Sequence, residues 1–266
     1  MKRVLIVLVV LTTAFSARAQ FFELGAGMAG TYLRGDVGAQ TLLPTDFAGN
    51  ISLRRQYNWH WGTRVSYTHG FLKADDAWSN KSVQQARDIA VRTEVGEFSG
   101  VVEFNYWPYA TGSKFDKSFY LFAGLALTAY TPRGLYNDQW YDLRALGTEG
   151  QGTELSNTLM YNDLAIAVPM GIGYRHSISR DFSFAAEIGW RRYGTDFIDD
   201  TSGKYVDSEE LGALRGLAAA HFANPGNVDY VQGLYRGTPE TNDWSIFAGL
   251  TIFYNLSPRN ERCDGF

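Results

Sequence analysis

From Phe21 onward, apolar and polar side chains alternate. Phe22, Leu24, Ala26, Met28 and Tyr32 share one face of the segment Phe21–Tyr32, and Glu23, Gly25, Gly27 and Ala29 share the other. A period of two marks a strand whose two faces meet different surroundings. The pattern recurs over Asp46–Tyr57, Trp59–Phe71, Thr93–Trp107, Asp163–His176, Asp181–Thr195 and Trp244–Leu256, and less cleanly over Ser118–Thr131. In Asp163–His176, for example, Leu164, Ile166, Val168, Met170, Ile172 and Tyr174 stand opposite Gly171, Gly173 and Arg175.

The connections between these eight segments alternate in length. Gln56–Asn58, Pro108–Lys117 and Ile178–Arg180 are short; Leu33–Thr45, Leu72–Arg92, Pro132–Asn162 and Asp196–Asp243 are long. A sheet zig-zagging through a bilayer, with tight turns on one side and free loops on the other, has this rhythm. Each segment is long enough to cross at the usual tilt, and unpaired backbone in lipid forces the first and last strands to meet. The expected fold is all-β: an eight-stranded antiparallel transmembrane β-barrel with long loops, one carrying a short helix. Aromatic residues gather at segment ends, at Trp59, Trp61, Trp107, Tyr109, Tyr130, Trp190, Tyr193, Trp244 and Tyr254, as interfacial girdles would. A water-soluble eight-stranded barrel would instead turn such rings inward. The charged and small residues on the opposite faces favour a wet interior and a lipid-facing exterior.

Lys2 and Arg3, the apolar run Val4–Leu11 and the small-x-small site Ala17-Arg18-Ala19 describe a secretory signal peptide. The expected layout is therefore 1–19 signal peptide, 20–256 outer-membrane barrel and 257–266 C-terminal tail. The chain carries 24 Lys and Arg against 28 Asp and Glu, and loss of Lys2, Arg3 and Arg18 makes the remainder more acidic. No basic stripe exists, so nucleic acid is not an expected partner; outer-membrane lipids are. A single cysteine, Cys263, excludes a disulfide framework.

Five charges fall on the small, polar faces: Glu23, Arg64, Glu103, Glu187 and Arg191. An eight-stranded barrel has room only for its own side chains, so these are expected to pair across the lumen, with an ion or proton pathway as the functional alternative. His60, His69, His176 and His221 show no metal-ligand spacing, and His60 or His69 with Ser66 lacks a third, orienting group for a hydrolase. Neither an enzyme nor a cofactor is expected. Leu146-Gly147-Thr148-Glu149-Gly150-Gln151-Gly152 lacks the lysine and flanking elements of a phosphate cradle and reads as a tight loop. Asp75-Asp76, Asn137-Asp138 and Asp199-Asp200 read as surface turns. In the longest loop Asp207, with Glu210 three residues on, opens a short amphipathic helix whose apolar positions are Leu211, Leu214, Leu217, Ala218 and Phe222; Gly212 and Gly216 weaken it.

Three loop stretches carry a family resemblance. They are Leu146–Gly152; Gly189-Trp190-Arg191-Arg192-Tyr193-Gly194-Thr195-Asp196-Phe197-Ile198-Asp199-Asp200 leading to Tyr205; and Arg236-Gly237. Together they resemble PorG-type outer-membrane barrels of the Bacteroidetes type IX secretion system, over Glu23 to Tyr254. The resemblance implies a non-enzymatic accessory component that associates with a periplasmic lipoprotein-containing ring of PorK and PorN type. It brings no catalytic or ligand residues to transfer. A stand-alone small barrel, serving envelope stability or the passage of small apolar solutes, is the alternative.

Overall fold

The structure is a computed structural model that describes residues 21–38, 44–113, 116–229 and 233–256. The expected signal peptide and the tail with Cys263 lie outside the described residues. Among the described residues nine strands form: β1 (Phe21–Arg34), β2 (Asp46–Gln56), β3 (Trp61–Asp75), β4 (Ala90–Asn105), β5 (Lys117–Tyr136), β6 (Gln139–Asp142), β7 (Leu164–Ser177), β8 (Phe182–Tyr193) and β9 (Trp244–Asn255). All except β6 build the wall. Each pairs antiparallel with its neighbours in the order β4-β3-β2-β1-β9-β8-β7-β5, and a β4–β5 pairing closes the ring. The first and last strands meet over Glu23↔Asn255 through Arg34↔Trp244. Closure leaves no wall strand as an open edge, the condition for placing strands in lipid.

One face of each strand points outward and is apolar: Leu24 and Met28 on β1, Ile51 and Leu53 on β2, Phe98 and Val102 on β4, Leu250 and Ile252 on β9, all exposed. The other faces fill the barrel. From Tyr254 to Trp244 the outward face of β9 climbs roughly 25 Å at the usual rise and tilt, the height of a hydrocarbon band. Trp59, Trp61, Trp107 and Tyr254 are exposed on the outside at the end with the short turns. Tyr109, Tyr130 and Tyr193, expected in the girdles, are instead buried. Tyr130 and Tyr193 have the inward phase of their strands, and their rings fill the upper lumen.

Several strands continue past their expected ends on the long-loop side. β5 runs to Tyr136 through Pro132, because its pairing with β7 stops at Ala129↔Leu164 and Pro132 forfeits no hydrogen bond on that edge. Beyond it, β5 and β6 form a hairpin around Asn137 and Asp138, both left-handed at φ 50° and 61°. The longest loop carries two helices where one was expected, α3 (Ser208–Arg215) and α4 (Leu217–Ala223); α1 (Ser82–Arg87) and α2 (Leu143–Leu146) lie in other long loops. Asp207 caps α3 by accepting from the amides of Glu209 and Glu210. Gly216, at φ 91°, breaks the helix pair. The break turns Leu211 and Phe222 inward but leaves Leu214 and Leu217 exposed, so the expected single apolar stripe does not form.

Candidate functional site

Two layers of buried polar chemistry occupy the molecule, one in the lumen and one in the loops above it. The lumen layer lies toward the short turns. Glu103 is its hub, with Arg54 Nε at 2.7 Å, Arg64 Nε at 2.9 Å and Arg175 Nη2 at 2.5 Å. Arg54 also pairs with Glu23, and Arg64 Nη1 reaches Glu187 Oε1 at 2.6 Å. Three guanidiniums thus meet three carboxylates. Tyr120 donates to Glu187 while its ring lies 3.9 Å beneath the Arg175 guanidinium. Charges this deep must be paired or neutralised, and the shared network pairs them.

Of the five charges singled out in sequence, Glu23, Arg64, Glu103 and Glu187 meet in this layer. Arg191 does not. It pairs higher up with Glu97 at 3.2 Å and lies 3.8 Å over the Phe247 ring. Arg54, Arg175 and Glu97 complete the two groups and were missed, although each has the inward phase of its strand. Between the groups a chamber of about 30 Å³ is lined by Asn50, Thr68, Phe122, Glu187 and Arg191 among others. That is room for about one water molecule, not for a continuous aqueous path. Above it Leu33, Leu72, Val95, Tyr130, Tyr193 and Phe247 merge with Val37, Leu143, Ile198 and Phe222 from the loops into one buried core. Core side chains therefore cover the long-loop mouth, with a cleft of about 310 Å³ beside them lined by Ile89, Leu143, Asp199, Phe222 and Arg236 among others.

The loops above form a cap held by two buried arginines. Arg87 grips Asp76 through Nε and Nη2 at 2.7 and 2.8 Å, and donates to the carbonyls of Asp36 at 2.8 Å and Arg236 at 2.6 Å. Arg236 donates to Thr148 Oγ1 at 2.9 Å and to the carbonyls of Asp200 at 3.1 Å and Phe222 at 2.9 Å, with Glu149 at 3.4 Å. The three stretches that carry the family resemblance thus converge on one side chain. In the glycine-rich run Gly147, Gly150 and Gly152 all adopt positive φ, 61°, 76° and 68°, which lets the turn wrap back so that Arg215 of α3 donates to the carbonyls of Leu146 and Gln151.

Asp76, Asp199 and Asp200 were expected on surface turns and are instead buried. Their oxygens replace backbone acceptors that irregular loops lack. Asp199 accepts from the amides of Val37 and Thr201, Asp243 from that of Ile198, and Asp200 from Thr148 and Tyr161. Thr195 and Asp196 enter the cap beside them, Asp196 buried and Thr195 half-buried. Burial pushes the Asp196 carboxyl up to about 8 and that of Asp200 up to about 6. It also raises Glu149, where it outweighs Arg236, and raises Asp199 and Asp243, which face each other.

The hydrolase constellation is not assembled. Ser66 points into the lumen and His69 outward, and His60 lies beyond the strand's end. Among the described residues no group of His, Cys, Asp or Glu is arranged to hold a metal ion, and no helix is long and apolar enough to cross a membrane, which does not bear on strands.

Among solved structures the fold is similar to Neisserial surface protein A, at 12% identity and a TM-score of 0.45, covering 88% of this chain and 96% of that one. It is also similar to Ail, the attachment invasion locus protein of Yersinia pestis, at 10% identity and 0.44, covering 90% of this chain and 100% of that one. The outer membrane protein OprG from Pseudomonas aeruginosa is a third, at 8% and 0.39, with 90% and 97% covered. No curated protein matches the sequence. Residues 2–217 match the family described as a domain of unknown function, DUF6089, and the chain belongs to that family.

Proposed function

We propose that this protein is an integral outer-membrane barrel acting as a non-enzymatic, structural accessory of a type IX-like secretion apparatus. The observation that carries the proposal is the pairing of an exposed apolar belt with a lumen filled by ion pairs and core. Such a barrel anchors; it does not conduct. A role beside a conduit suits it better than a role as one. The convergence of Leu146–Gly152, Asp200 and Arg236 in the cap supports the PorG-type reading, since the residues that carry the resemblance form one structural unit.

In this reading the termini and three short turns face the periplasm and supply the contact with a PorK- and PorN-like ring, while the cap faces outward. Affinity purification of the tagged protein from gently solubilised native membranes tests it. Ring lipoproteins should co-purify. Recovery of the barrel alone, with cargo secretion intact in a deletion strain, would sink the secretion role.

One observation favours the alternative of a stand-alone barrel serving envelope stability. The cap exposes Leu159, Leu214, Leu217, Leu234 and Tyr235 at the end away from the termini, where a periplasmic ring would not reach them. Passage of small apolar solutes is the less suited variant, because the upper lumen is packed.

A further inference from the structure

At the long-loop rim the lipid-facing wall carries an unusual row. Trp244 opens β9, and its cross-strand partners on either side are both arginines, Arg34 of β1 and Arg192 of β8. All three have the outward phase of their strands. Both arginines are exposed, and the Arg192 guanidinium lies 5.6 Å over the Trp244 ring. Strand spacing puts the two arginine Cα atoms roughly 10 Å apart with the indole between them. Directly beneath, Tyr32, Ile246 and Trp190 continue the row into the apolar belt.

Two other arginines at this rim are compensated. Arg92 Nε meets Asp46 at 2.7 Å, and Arg133 Nη2 meets Glu94 at 2.9 Å. Among the described residues neither Arg34 nor Arg192 has an acidic ion-pair partner. Two uncompensated guanidiniums beside an interfacial tryptophan, at the depth where acyl chains give way to headgroups, are complementary to lipid phosphate. Guanidinium binds phosphate oxygens through a planar fork, and the tryptophan marks the interface at which those oxygens lie.

We propose that Arg34, Trp244 and Arg192 form a binding site for the phosphorylated headgroup of a lipid in the leaflet on the cap side. The site rests on the outer-membrane reading above. It gives the barrel a preferred lipid at the β1–β9 seam, where the closing strands meet, and fixes the depth of that rim.

Native mass spectrometry of the full-length protein in mild detergent, titrated with diphosphorylated lipid A, tests the site. The double variant Arg34→Gln, Arg192→Gln should bind about thirtyfold more weakly than wild type. Arg133→Gln removes one positive charge from the same rim but from a paired site, and should bind nearly as wild type does. Millimolar inorganic phosphate should not displace the lipid. Equal binding by wild type and double variant would overturn the proposal, as would equal weakening by Arg133→Gln. Displacement by free phosphate would reassign the site to a soluble anion. The same samples, run for a heat-dependent gel shift, separate the two readings. A wild type without the shift fails the outer-membrane reading, whereas a shifting barrel indifferent to lipid A fails only this one.

Discussion

Arg236 Nη1 donates to Thr148 Oγ1 at 2.9 Å across 88 positions of sequence. The bond joins the loop after β6 to the loop before β9, and the same guanidinium holds the carbonyls of Asp200 and Phe222. One side chain therefore ties three segments of the cap together. Arg236→Leu would leave Glu149 buried without its cation and those acceptors without donors. The cap should lose about 3–5 kcal/mol of local stability, the usual cost of breaking a buried pair. Limited proteolysis of the membrane-inserted protein should then cut within residues 146–160 and 200–229, with the barrel's heat-dependent gel shift retained. Arg236→Lys should rescue little, since a single ammonium cannot reach several fixed acceptors at once. Wild-type resistance to protease in the leucine variant would show that Arg236 does not lock the cap.

Glu103 is the counterpart in the lumen. Its carboxylate is shared by Arg54, Arg64 and Arg175, all buried. Glu103→Gln keeps the shape but leaves three guanidiniums with only Glu23 and Glu187 to balance them. A loss of about 3–5 kcal/mol is expected, read as a lower unfolding midpoint of the detergent-solubilised barrel. Glu94→Gln, on the outer wall and half-exposed, should cost under about 1 kcal/mol. Equal midpoints for the two variants would contradict the hub role.

The strand faces that create this network were legible in the sequence because a period of two survives any tertiary context. Glu23, Arg64, Glu103 and Glu187 could be placed inside from phase alone. The same phase applied to Arg54, Glu97 and Arg175 places them inside as well, and applied to Tyr130 and Tyr193 it overrides the interfacial preference of an aromatic ring. Alternation does not reveal height along the barrel axis. That depends on the stagger between strands, and it is why Arg191 pairs with Glu97 rather than joining Glu103. The cap was far less legible. Asp76, Asp199 and Asp200 look like solvent turns because loop acids usually are. They are buried because four irregular segments fold over one another and their amides need acceptors. No periodicity encodes such a packing. The resemblance stretches include Arg236 but give no sign that it gathers them.

The buried cap acids give the loops a pH dependence. Folded Asp196 and Asp200 hold their protons up to about pH 8 and 6. In an opened loop both carboxyls return to near 4. Between about pH 4 and those folded values the closed cap binds protons that the open loop releases, so closure weakens as pH rises and the loss is complete above about pH 8. Amide hydrogen exchange at residues 196–202, corrected for intrinsic rates, should show stronger protection at pH 5 than at pH 9. Asp196→Asn should reduce the difference, leaving the part carried by Asp199, Asp200 and Asp243. Protection that holds constant or grows toward pH 9 would mean that these acids are ionised in the closed cap.

Met28 and Leu250 face each other on the outside of the closing seam and are both well exposed. They lie midway along β1 and β9, where a bilayer would be most apolar. In lipid, Leu250→Arg should cost about 2–4 kcal/mol of insertion, because a guanidinium at the midplane has neither water nor a partner. The same substitution in a water-soluble barrel would replace an exposed apolar side chain with a solvated charge and cost almost nothing. Thr251, the next residue, faces the lumen, so a variant there perturbs packing without touching lipid. Folding the Leu250→Arg protein into phosphatidylcholine vesicles and titrating with denaturant separates the two environments. A fall in stability seen in vesicles places this face in hydrocarbon. Unchanged stability, or improved solubility without detergent, would mean that the exposed belt meets water, and the membrane assignment would fall with it.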